Sequence, residues 1–185
     1  MLSMVLALAL CGSAGPSAAQ SQAEHLIAPT PEGFKFLGKD TRADGAVTEI
    51  WQPIGQTDKN WTEQIAIRTM PNKAAGSDPV ALLQVIDKQM ATACKDSPTP
   101  ARILPGKSNG YGTATMMTRC AQGPDSGKPE SALFHVIKGT ANLYLVIRAA
   151  HFEATGDQVK QWIRYVGSVR LCDDRTPDHP CSKPQ

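Results

Sequence analysis

From Gly110 to Ala150 the chain carries three strand-length apolar runs, Tyr111–Cys120, Ser131–Lys138 and Leu143–Ala150, with no helical segment between them. They are separated only by the Gly123-Pro124-Asp125-Ser126-Gly127 loop and a tight turn at Gly139-Thr140. Parallel neighbours would need crossovers of about a dozen residues or more, so these runs pair as consecutive antiparallel hairpins. In the last two, both faces are apolar. Leu133 and Ile137 oppose Phe134 and Val136, while Leu143, Leu145 and Ile147 oppose Tyr144 and Val146. A strand apolar on both faces is covered on both faces.

Two amphipathic helices are available to pack on this sheet. The first opens with Asp78 as N-cap and Pro79 at the first helical position, where a missing N–H costs nothing. Val80, Leu83, Ile86 and Met90 form its core stripe, Gln84, Asp87, Lys88 and Gln89 its outer face, and it ends near Cys94. Prolines at 98, 100 and 105 then mark a loop holding a short edge strand at Arg102–Leu104. The second opens with Thr155 and Gln158 in capping-box spacing. Its stripe is Val159, Trp162, Ile163 and Val166, and Gly167 is placed to end it before a short strand at Ser168–Cys172.

Upstream lie three further strands, Phe34–Leu37, Ala46–Trp51 and Trp61–Met70. In the third, Trp61, Ile65 and Ile67 share one face and Gln64 and Arg68 the other. The order β-β-β-α-β-β-β-β-α excludes a doubly wound parallel sheet and predicts an α+β fold, an antiparallel sheet with two helices packed on it.

The first nineteen residues read differently. A charge-free run from Leu2 to Leu10 leads into the small residues Cys11 to Ala19, the pattern of a secretory signal peptide. Its apolar core falls well short of the roughly 20 residues of a membrane-spanning helix. Ser17-Ala18-Ala19 places cleavage before Gln20, with a second site after Ala23, although no Lys or Arg precedes Lys35 to form a positive n-region. Lipidation of Cys11 is the competing reading, with Leu10 larger than the residue that normally precedes a lipidated cysteine. The expected organisation is a signal peptide at 1–19, an extended lead at 20–32, one α+β domain at 33–172 and a disulfide-tied tail at 173–185. The expected location is periplasmic or secreted.

Four cysteines then remain, Cys94, Cys120, Cys172 and Cys181, which allow three pairings. The expected pairing is Cys94 with Cys120 and Cys172 with Cys181, the second closing a short loop that ties down the tail. A metal site of Cys172, His179 and Cys181 is the alternative, without a fourth ligand or a C-x-x-C knuckle. The net charge is +2 and no two Lys or Arg residues are adjacent. That is no footprint for nucleic acid or an anionic membrane.

With Pro31-Glu32-Gly33-Phe34 before the first hairpin, a helix after the third strand and another at the end, the chain resembles the PsbP-like group of small α/β sandwich proteins over residues 33–172. Many of that group are exported bacterial proteins. Gly55-Gln56-Thr57 with Asn60-Trp61-Thr62-Glu63, and Asn109-Gly110-Tyr111 before a strand, are similar to segments of secreted proteobacterial proteins. The resemblance implies a fold and a location and brings no catalytic residues.

Catalytic motifs are sparse. Gly106-Lys107-Ser108 lacks the glycine a phosphate loop needs, because Ala101 stands there, and it reads as a turn. There is no G-x-S-x-G, S-x-x-K or H-E-x-x-H, and no cofactor is expected. His25 and His179 lie in the lead and tail, His135 sits within an apolar strand, and His151 at a strand end is the best placed base. Trp51 and Trp61 flank an adaptable polar loop, Gln52 to Asn60, of the kind recognition surfaces use. Tyr144 and Arg148 share a strand face, and an arginine on an apolar strand either pairs with a buried carboxylate or lines a pocket. Trp51, Trp61, Tyr144 and Arg148 are thus the candidate binding residues. The expected function is an exported, non-enzymatic binding or accessory protein of the bacterial envelope, an inhibitor or immunity factor among the possibilities, with another envelope or secreted protein as partner. A periplasmic hydrolase using His151 is the alternative.

Overall fold

A computed structural model describes residues 24–57, 59–71, 78–94, 101–123 and 126–181. The segment 1–19, both cleavage positions and Cys11 lie outside the described residues. The elements are β1 Glu24–Ile27, β2 Phe34–Thr41, β3 Val47–Pro53, β4 Glu63–Pro71, α1 Pro79–Ala93, β5 Ile103–Ser108, β6 Tyr111–Cys120, β7 Glu130–Lys138, β8 Asn142–Ala150, α2 Gly156–Ser168 and β9 Arg170–Asp173. Strands β2 to β8 form one sheet in the order β2-β3-β4-β8-β7-β6-β5, antiparallel at every junction. Two meanders build it. Helix α1 carries the chain from β4 to the far edge at β5, and the second meander walks back until β8 pairs with β4, Ile67 opposite Val146. The expected α+β architecture, with its order of strands and helices, is present.

The two-faced apolar pattern of β7 and β8 divides the core. Ile65, Leu133, Ile137, Tyr144 and Val146 pack with Trp162 and Val166 of α2, while Ala132, Phe134, Val136, Leu143 and Leu145 pack with Leu83 of α1. A wholly buried aromatic such as Trp162 stabilises a core by about 3–5 kcal/mol relative to alanine. Both N-termini are set by their caps. Asp78 Oδ1 accepts from Val80 N at 2.8 Å, and Thr155 and Gln158 make a reciprocal capping box. Among the described residues no helix is long and apolar enough to cross a membrane.

Both expected disulfides are present. Cys94, the C-cap of α1, joins Cys120 at the end of β6 with Cα atoms 5.5 Å apart, and Cys172 joins Cys181 at 4.8 Å. Two sulfurs bonded to each other are not available to a metal, so the Cys172–His179–Cys181 alternative lapses. His179 instead stacks on Tyr111 with ring centroids 4.0 Å apart, and its Nδ1 lies 2.8 Å from the Asn109 carbonyl oxygen.

Four local expectations are revised. Gly106-Lys107-Ser108 is not a turn but the end of β5, paired with β6. The lead at 20–32 contains a strand, β1, which pairs antiparallel with β9 from Glu24 opposite Asp173 to Ile27 opposite Arg170. Its anchor is Glu24, buried, whose carboxylate accepts from the backbone N–H groups of Thr140 and Ala141 and so caps the β7–β8 turn. Gly167 does not end α2: it lies inside the last turn without a positive φ, and the helix runs to an extended cap at Val169. Trp61 precedes β4 rather than sharing the face of Ile65 and Ile67.

Candidate functional site

The structure disperses the four residues singled out for binding. Trp51 is half-buried on β3, its ring 5.4 Å from that of Phe36 on β2. Trp61 lies on the other side of the 52–60 loop, its ring tilted by 33° against that of His151 with centroids 3.6 Å apart. Tyr144 is buried, its hydroxyl accepting from Asn142 Nδ2 at 3.3 Å, and burial raises its pKa. Arg148 is buried as well. Its Nη2 meets Glu63 Oε2 at 3.0 Å, and its guanidinium carbon sits 5.3 Å from the ring centre of Phe34 and 5.7 Å from those of Trp162 and Tyr165. The cation is thus held by one carboxylate and the faces of three rings, while its Nε is buried without a hydrogen-bond partner among the described residues.

His151 and Trp61 do meet. They line a cavity of about 170 Å³ at one end of the sheet with Met90, Thr118, Glu130 and Phe134. His151 Nδ1 lies 3.1 Å from the Trp61 carbonyl oxygen, which can only accept, so this nitrogen carries the proton. The opposite nitrogen is 3.6 Å from Glu130 Oε1, and Ser126 Oγ donates to that same oxygen at 2.7 Å. The order is serine, carboxylate, imidazole. A serine is activated when the imidazole stands between it and the acid, and here the carboxylate takes the middle place.

A larger concavity, about 460 Å³, opens between α2 and strands β5 to β7. Volumes of this size hold small molecules. Helix α2 covers the centre of the sheet and leaves β5 and β6 partly bare, with Gly106 on β5 and Gly167 in its own last turn among the lining residues. A β-carbon built on Gly167 would meet nothing within 4 Å. Leu133, Met117, Val159 and Val166 supply apolar lining, and Leu104 and Ile163 stand on opposite walls, 48% and 52% exposed. One ring breaks the apolar surface. His135, 7% exposed, shares a hydrogen bond of 2.8 Å between its Nδ1 and Thr115 Oγ1, while its Nε2 is buried without a partner. Burial lowers its pKa to about 4, so the ring is neutral across the physiological range.

No protein-family model and no curated protein sequence matches the chain. Solved structures do. The solution structure of cyanobacterial PsbP, CyanoP, from Synechocystis sp. PCC 6803 aligns with 90% of this chain and 98% of its own, at a TM-score of 0.50 and 14% identity. The fold is PsbP-like. A crystal structure of LpqN, a protein involved in cell envelope biogenesis of Mycobacterium tuberculosis, aligns with 83% of this chain and 86% of its own, at a TM-score of 0.48 and 12% identity.

Within this PsbP-like sheet the walls of the channel come from four elements whose register no local sequence pattern fixes. One signal was available. Ile163 belongs to the core stripe of α2 by spacing yet stays in solvent. Thr113 and Thr115 likewise stand on a β6 face shared with buried Tyr111, where a closed core would carry larger apolar groups.

Proposed function

We propose that the protein is an exported, non-enzymatic binding protein, an accessory component of the bacterial envelope, that engages a protein partner through the β2–β3 ribbon around Trp51. The observation that carries this reading is the chemistry of that edge. Among the described residues β2 has a neighbour on one side only, and Phe36, Leu37 and Ile54 on this ribbon are 53%, 40% and 70% exposed. An unpaired ladder flanked by exposed aromatic and aliphatic side chains suits the addition of an extended segment from another protein. Export is supported by the Leu2–Leu10 run followed by small residues, and by two disulfides of a kind that persists in oxidising compartments. A hydrolase built on His151 would need a serine on its imidazole, and Ser126 is on Glu130 instead.

The test is site-specific photocrosslinking in the intact exporting cell. A photoreactive residue at Phe36 is expected to give an adduct of discrete mass, absent when the same residue replaces Val85 on the exposed face of α1. No adduct at position 36, or the same adducts from both positions, would overturn the reading.

A further inference from the structure

The channel between α2 and β5 to β7 lies toward the opposite edge of the sheet from the β2–β3 ribbon, and three of its features define an occupant. The first is apolar area kept open. Ile163 and Leu104 remain in solvent on facing walls, and Gly106 and Gly167 line the gap without adding a side chain to it. Apolar surface of this kind gains from being covered. The second is the His135 ring, more than nine-tenths buried, with one nitrogen engaged by Thr115 and the other unpaired. A buried polar atom without a partner is unfavourable, and an occupant offering one oxygen removes that penalty. The third is Arg102, exposed, the one charged residue among those that line the channel, and without an ion pair among the described residues.

We propose that this channel binds an amphipathic carboxylic acid, its apolar chain lying along Leu133, Val159 and Ile163, its carboxylate meeting Arg102 and a second oxygen, hydroxyl or carbonyl, pairing with His135 Nε2. The apolar walls exclude a sugar or a nucleotide, which would bring many polar groups and find few partners. The neutral ring suits a neutral oxygen inside, and the lone cation suits a single anion outside.

Calorimetric titration with 10-hydroxydecanoate, decanoate and 1-decanol tests each part. Wild type is expected to bind 10-hydroxydecanoate saturably at one site and more tightly than decanoate, and decanoate more tightly than 1-decanol. Arg102→Gln is expected to weaken both acids by about 2- to 5-fold and leave the alcohol unchanged, the range for an exposed ion pair. His135→Phe is expected to remove the advantage of the hydroxy acid over decanoate, about 2- to 10-fold for one neutral hydrogen bond. Because a β-carbon at position 167, a lining residue, meets nothing within 4 Å, Gly167→Phe is chosen to set a ring at the channel without disturbing the core, and its folded state is checked by near-ultraviolet circular dichroism. Loss of binding of all three probes in that variant supports the site. Saturable binding by none of the probes, unaltered binding in folded Gly167→Phe, or equal affinity for decanoate and 1-decanol in wild type would overturn the proposal. Crosslinking at Phe36 reads the other edge of the sheet, so either reading can fail alone.

Discussion

His135 occupies the middle of β7 with Thr115 on one ring nitrogen and nothing on the other, and desolvation holds its pKa near 4 against an ordinary value of 6.5. The unfolded chain therefore takes up a proton as pH falls through about 6.5, while the folded chain stays neutral until about 4. Stability is full above that window and declines across it, by up to about 3 kcal/mol for a shift of this size. Urea titrations at pH 7 and pH 4.5 are expected to show this decline in wild type and to lose most of it in His135→Phe. Asp173 acts elsewhere on the scale. Its carboxyl is held below the usual range chiefly by the Arg175 guanidinium, so its contribution fades only in more acidic solution. Arg148 shows what a single sequence can convey about a residue. An arginine on an apolar strand announces a partner, yet Glu63 stands 85 positions away and is identified only once β4 lies beside β8.

Elements whose cause is local were legible. The Asp78 cap, the Thr155 capping box and the hairpins around Gly139 depend on residues within a few positions of one another, and each stands where spacing put it. Elements whose cause is distant were not. β1 is four residues long and exists because β9 pairs with it, and Trp61, outside β4, meets the ring of His151, 90 positions away. Gly167 misled for a third reason: a glycine near a helix end reads as a stop, and here it is an ordinary helical residue beside the channel. Gly167→Ala is accordingly expected to raise stability by about 0.5–1 kcal/mol, since it restricts the unfolded chain and meets no neighbour. A rise in Tm by scanning calorimetry checks this, and a fall would show that the backbone at 167 requires glycine.

For the whole molecule, the two crosslinks restrain very different lengths of chain. Cys94 and Cys120 are 26 positions apart, Cys172 and Cys181 nine. Loop-closure entropy assigns about 3.5 kcal/mol to the first and about 2.6 kcal/mol to the second. Replacing each pair with serines should lower the urea midpoint in that order, and a larger loss from the shorter loop would mean that the tail, through His179 on Tyr111, secures more than its own length. The overall architecture was readable because order and two-sided apolarity exclude the alternatives, whereas the channel draws its walls from α2, β5, β6 and β7 and has no contiguous signature. Closure of the β1–β9 ribbon brings together His25 and Cys172, 147 positions apart. A polypeptide emerging N-terminus first from a ribosome or a pore cannot close that seam until Asp173 has come through, long after β1 itself has emerged.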